Sequence, residues 1–364
     1  MRRNEASLKT VLVTGARGTV GNYVVSLAES SGYRVIASDI DPRGVRAPVR
    51  GEVRAADLTD DAAVSRLVRG VDVVVHTAGL IDVAAGAGAL SRVNSEAVAT
   101  LYEAAAQAGT QRFVHLSVGT LYDAKAAGGG PLAESAPVAP RGPYALSKLG
   151  AELYLRGRAA GDGPEWTILR AAPLYGRRGR HFAGTLLAIG PMLGMTTPVL
   201  PRPAGGPVGS MVHAEDVARA MLFVLERSET AGRVYNVSDG DPMALGTRLG
   251  LTFDAYGLRS VPTGTVPDRL FRVGARLLRT NNVSKSFDVA ALAGWRAVVL
   301  RHGLKPALKP RFDEEVLELV HQRLELDDGA LRGLGWAPRH GSFDAGWREV
   351  LRWYQAERWV PRYV

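Results

Sequence analysis

Five short runs of β-branched and apolar residues constrain the fold most. They are KTVLVT (9–14), RVIAS (34–38), VDVVVH (71–76), RFVHLS (112–117) and WTILR (166–170). Each is nearly continuous in apolar residues rather than alternating, which is the pattern of strands buried on both faces of a parallel sheet. Helix-like segments separate them. SRVNSEAVATLYEAAAQAG (91–109) has its apolar positions at helical spacing and ends on glycine. Such alternation predicts an α/β fold built on a doubly wound parallel sheet. After residue 176 the pattern loosens. A further helix begins near HAEDVARAMLFVLE (213–226), and YNVSD (235–239) reads as another strand. The remainder, rich in proline, leucine and arginine, reads as a smaller lobe assembled from several pieces.

The chain has 364 residues, which is longer than single cores usually grow, so a second lobe or domain is expected. With no cysteine, a disulfide framework and a thiolate metal site are excluded. The net charge of +9 comes from dispersed arginines. No nucleic-acid motif accompanies it, so nucleic acid is not an expected partner. The longest uncharged run, Phe182 to Pro201, contains Pro191 and Pro198. It is broken as a spanning helix and reads as a buried segment. MRRNEASLK shows no signal-peptide pattern, and the expectation is a soluble cytoplasmic protein. The seven histidines show no pair at metal-ligand spacing, and no metal site is expected.

TGARGTVG (14–21) follows the first predicted strand and opens a helix, the context that gives a glycine fingerprint its meaning. Gly15 permits a tight turn, Gly18 lets the backbone approach a pyrophosphate, and Gly21 allows close helix packing. With Arg17, Thr19 and Val20 of the same turn, they present a helix N-terminus to phosphates. Asp39 ends the second strand, eighteen residues after Gly21. An acidic residue there accepts hydrogen bonds from ribose hydroxyls and repels a 2′-phosphate, which favours NAD over NADP. Arg17 and Arg43 pull the other way. Asp57 and Leu58 after the third strand, and Thr77, Ala78 and Gly79 of HTAG (76–79) after the fourth, complete an adenine and ribose groove.

HLSVGTLY (115–122) and PYALSK (143–148) suggest the chemistry. Tyr144 and Lys148 are four apart and share a helical face. A tyrosine hydroxyl titrates at about 10 in isolation. A neighbouring ammonium and an oxidised nicotinamide favour the phenolate, so Tyr144 becomes a usable acid/base.

Together these segments resemble the extended short-chain dehydrogenase/reductase superfamily, the NAD-dependent epimerases and dehydratases. The resemblance runs through VN at 93–94, LRAAPLYG (169–176), VHAEDVARA (212–220), YNVSDG and LGWAPRHGSFDAGWREVLRWY (334–354), in the expected order. It implies a Rossmann domain over 1–176, to which 210–240 returns, and a substrate lobe from 177–209 and 241–364. It brings Asn94 and Ala171 into the cofactor region. It also implies a homodimer through helices 91–108 and 143–159.

Two positions depart from the family pattern. Aligning the tyrosine of the family's "VYG" segment on Tyr122 puts Val118 where a catalytic serine or threonine stands. Thr120 and then Ser117 are the substitutes, although Ser117 sits one position early on a strand and so faces the other way. Pro173 replaces the asparagine that contacts a nucleotide sugar. The variant resembles the 3β-hydroxysteroid dehydrogenase branch, which implies an apolar, steroid-like or polyketide-like small-molecule substrate. A net non-redox epimerase, dehydratase or isomerase using bound NAD, or a non-catalytic NAD-binding scaffold, are the other readings. Arg177, Arg178 and Arg180 read as a solvated loop. DRLFRVGARLLRT (268–280) is an amphipathic segment with an arginine face, compatible with core packing or with weak contact at a membrane surface.

Overall fold

A computed structural model describes residues 8–264, 281–308, 310, 316 and 323–363. Seven parallel strands form the main sheet: β1 (Thr10–Thr14), β2 (Arg34–Asp39), β3 (Gly51–Ala55), β4 (Val73–His76), β5 (Arg112–Val118), β6 (Glu165–Ala171) and the strand Arg233–Val237. Their spatial order is β3-β2-β1-β4-β5-β6 and then Arg233–Val237, with every neighbouring pair parallel. This is the doubly wound Rossmann-type arrangement the apolar runs predict. Its switch point lies between β1 and β4, where ligands bind at the carboxyl ends of the strands.

The apolar runs bury both faces. Val11 and Val13 join the core beneath α1 (Gly21–Ser30) and the helix Ala214–Leu225. Leu12, Val74, Phe113 and Ile168 face the other way. They pack against α2 (Asp61–Leu67), α4 (Ala97–Gln107) and α5 (Pro143–Arg156). At the carboxyl edge this second face turns polar, with Thr14, His76, His115, Ser117 and Arg170 all buried. The parity of a strand places them two or four residues beyond the apolar set.

The helix expected over 91–109 is divided. α3 (Ala87–Ser91) leads into a π-helical turn, Arg92–Glu96, before α4. Asn94 lies in that turn, and its side chain bridges Leu80 and Ser147. Wide turns of this kind cluster at functional sites.

A separate hydrophobic core gathers Phe253, Trp295, Phe343, Trp347 and Tyr354. α6 (Phe182–Leu193) runs through it with Pro191 in its last turn, so the first half of the uncharged stretch is buried as expected, whereas Gly194, Met195, Thr196 and Pro198 beyond the helix are exposed. Among the described residues no helix is long and apolar enough to cross a membrane. The amphipathic segment 268–280 lies outside the described residues.

Candidate active site

The glycine turn is shaped by backbone contacts that leave no room for side chains. Gly15 has φ +69°, and a Cβ there would lie 2.6 Å from the Ala78 nitrogen. A Cβ on Gly21 would lie 2.2 Å from the Gly15 oxygen, and Gly18 N–H donates to that same oxygen at 2.9 Å. α1 starts at Gly21 without a side-chain cap, and the residues at its start line a cavity, so its positive end borders that space. Arg17, Gly18, Thr19, Val20, Gly21 and Asp39 line one cavity of about 800 Å3. This cradle fits a dinucleotide pyrophosphate.

The charges at the ribose end are arranged for a neutral 2′-hydroxyl. Asp39 accepts from the Arg17 backbone N–H at 3.0 Å. Asp41, which sequence reasoning missed, pairs with Arg17 at 2.6 Å and Arg43 at 2.8 Å. Hydrogen bonds from Arg43 hold the Asp41 carboxyl well below the usual carboxylate range. The two arginines that would attract a 2′-phosphate therefore already have a counter-charge.

Thr77 donates to the Thr14 oxygen at 2.7 Å and lines the cavity with Ala78, Gly79 and Ala171. Asp57, Leu58 and Asn94 are not brought to its wall. Asp57 accepts from the Thr59 N–H and hydroxyl, Leu58 joins the core, and Asn94 is committed to Leu80 and Ser147.

Tyr144, Lys148, Thr120, Val118 and Ser117 converge on the cavity at the ends of β5 and α5. Lys148 is 4% exposed. Burial pulls its ammonium down to about 8, against the opposing field of Glu152. Ser117 is fully buried, and its hydroxyl donates to Glu152 Oε1 at 2.6 Å. Thr120 sits in the turn Gly119–Leu121 and makes no side-chain hydrogen bond among the described residues, so its hydroxyl is available to a ligand. Tyr122 is occupied, donating to Asn236 Oδ1 at 2.7 Å.

Several residues escaped sequence reasoning. Glu152 pairs with Arg170 at 2.6 Å, both side chains being 2% exposed or less. Arg178 and Arg180 line the cavity rather than forming a wholly solvated loop. His213, Asp216 and His340 come within 4.8 Å of one another through ligand-type atoms. They are already engaged: His213 accepts from the Glu215 N–H, and Asp216 accepts from the Arg339 and His340 N–H groups. The cluster fastens the C-terminal segment to the helix Ala214–Leu225, and no sequence spacing signals a pairing 127 residues long between His213 and His340.

Comparison with known proteins places this arrangement. A trifunctional UDP-glucose 4,6-dehydratase/UDP-4-keto-6-deoxy-D-glucose 3,5-epimerase/UDP-4-keto-L-rhamnose-reductase of Arabidopsis thaliana is 25% identical over 95% of this chain. The match spans only about half, 47%, of that protein. A 3-beta-hydroxysteroid dehydrogenase of Mycolicibacterium neoaurum is 26% identical, over 91% of this chain and 87% of that protein. Among solved structures, the dTDP-glucose 4,6-dehydratase DesIV of Streptomyces venezuelae, with NAD bound, superposes with a TM-score of 0.68 at 26% identity, covering 96% of this chain and 98% of that one. Residues 11–238 match the profile of a single family, and by that match, over a glycine cradle and cleft shaped for its cofactor, the chain belongs to the NAD dependent epimerase/dehydratase family.

Proposed function

We propose that the protein is an NAD-dependent oxidoreductase that interconverts a secondary alcohol and a ketone on a largely apolar small molecule. The supporting observation is the wall that the second lobe and neighbouring loops give the cavity. Leu80, Ile81, Leu174, Phe182, Trp353 and Trp359 line it, as does Pro173, which replaces the asparagine of the family pattern.

NAD, when bound, supplies the hydride acceptor. Tyr144 takes the proton of the substrate hydroxyl, or returns it in the reverse direction. The Lys148 ammonium stabilises the phenolate so formed. Thr120 donates a hydrogen bond to the reacting oxygen in place of the hydroxyl that Val118 lacks. Thr120→Val is expected to lower kcat about 10²-fold, as removal of an oxyanion donor does. Ser117→Ala should leave kcat within about threefold, since its hydroxyl serves Glu152. Steady-state rates of the two variants check the assignment, and the reverse order of effects would overturn it.

A panel of apolar secondary alcohols offered with NAD⁺ tests the reaction, read by NADH formation equal to ketone formed. The dehydratase and epimerase names among the relatives favour a second reading, net non-redox turnover on retained NAD. Turnover of a substrate without net NADH, with nucleotide still bound after purification, would select it.

A second copy of the chain is the proposed protein partner. α5 presents Leu146 and Leu153, 55% and 59% exposed, one heptad apart on its outer face, next to α3 and the π-turn. Glutamates at both positions would bury charge in that contact. Leu146→Glu/Leu153→Glu is expected to sediment as a monomer where the unaltered chain sediments as a dimer. A monomeric unaltered chain would remove this partner.

A further inference from the structure

The turn after the short strand Leu174–Tyr175 is built around a basic residue in an unfavourable conformation. Arg178 has φ +67°, the left-handed region that a non-glycine residue occupies only when its surroundings impose it. The surroundings are visible from both sides. Behind the turn, the buried Tyr354 hydroxyl bonds the Gly176 and Gly179 oxygens, and Glu349 of the same helix pairs with Arg177 at 2.7 Å. In front, the Arg178 guanidinium donates to the Gly44 oxygen at 3.2 Å. Gly44 lies in the loop after β2, 134 residues away in sequence.

Both ends of this bridge border the cofactor cradle. Gly176 is so close to the glycine loop that a Cβ on it would lie 3.5 Å from Thr19 Cγ2 and 2.7 Å from the Ala214 Cβ. Arg178 and Gly44 line the same cavity as Gly18, Thr19 and Asp39. Arg17 and Arg43 have Asp41 as counter-charge. Arg178 has a backbone carbonyl and no carboxylate among the described residues. A half-buried cation of this kind, lining the same cavity as the glycine cradle and Asp39, is complementary to a diphosphate.

We propose that Arg178 is a cofactor-binding residue, a clasp that bridges the 176–181 turn to Gly44 and holds the dinucleotide by its phosphates. Tyr354 and the C-terminal helix set the clasp from behind and so tie cofactor retention to the second lobe. The inference rests on the family's use of NAD and not on the reaction proposed above.

The test is NADH binding to the full chain, with Kd from NADH fluorescence and dissociation rate from stopped-flow displacement by excess NAD⁺. Arg178→Ala and Arg178→Gly are both expected to raise Kd about tenfold, chiefly through faster dissociation, as loss of a charge-assisted hydrogen bond does. The glycine variant relieves the backbone, so it separates the guanidinium from the strain. Arg66→Ala, which removes an exposed arginine at the end of α2, should bind as the unaltered chain does. Tyr354→Phe should weaken binding less, and its effect should vanish when Arg178 is already alanine. Arg178→Gly binding within twofold of the unaltered chain would overturn the proposal, whether or not Arg178→Ala does. Failure of the unaltered chain to bind NADH would overturn it together with the cofactor reading, which is a distinguishable failure.

Discussion

Tyr144→Phe is expected to lower turnover about 10³-fold, at the middle of the range for general acid–base groups, while NADH affinity stays within about twofold. The phenol oxygen is the only heavy atom removed, and Tyr144 lines the same cavity as Lys148 and Thr120. The nucleotide contacts proposed for the chain lie elsewhere, at the glycine cradle and Asp39, which line the same cavity, so binding and chemistry are expected to separate. The pH profile gives a second readout. Burial brings Lys148 down to about 8, so its ammonium is present at neutral pH and is lost as pH rises through that value. Activity that depends on the charged form falls on the alkaline side with it. A Tyr144→Phe protein with unchanged turnover would end the acid/base assignment. If every activity of the chain survived, the non-catalytic scaffold would be the better reading.

The sheet was legible because burial on both faces leaves a plain mark, a run of β-branched residues with little alternation. The glycine turn was legible for a different reason. At Gly15 and Gly21 the backbone of Ala78 and of Gly15 itself occupies the space of a side chain, so composition there reports geometry directly. Parity along β5 also told in advance that Ser117, one position before Val118, faces the opposite way from it. What stayed hidden depends on contacts far apart in the chain. Arg178 looks like any loop arginine until Gly44 and Tyr354 are placed around it. The local partners of Asp57 and Asn94, namely Thr59, Leu80 and Ser147, were hidden in the same way. Glu152 lay in plain view four residues after Lys148. Its part depends on β6 delivering Arg170 to it, which helical spacing does not reveal.

Glu152→Gln is expected to destabilise the fold by about 3–5 kcal/mol, the range for removing one member of a buried ion pair. Glu152 accepts from Arg170 Nε at 3.0 Å and Nη2 at 2.6 Å, and from Ser117 at 2.6 Å. It also supplies the field that opposes the burial of Lys148. The amide keeps the shape and removes the charge, which leaves two buried cations, Arg170 and Lys148, with no anion between them. Arg170 in turn stacks on Tyr122, its guanidinium carbon 4.9 Å from the ring centroid. Disturbance at Glu152 therefore reaches the turn that carries Thr120. Ser117→Ala removes only one donor and should cost about 1 kcal/mol. Glu152→Leu with Arg170→Met removes both charges and should recover part of the loss, because buried pairs can be replaced by apolar residues at little net cost. Urea unfolding of the single and double variants gives the coupling energy directly. Without Glu152 the Lys148 ammonium loses its favourable field, so the alkaline fall in activity should move below that of the unaltered chain. A Glu152→Gln variant within about 1 kcal/mol of the parent, with an unmoved alkaline limb, would show that the buried carboxylate holds neither β6 nor the charge of Lys148.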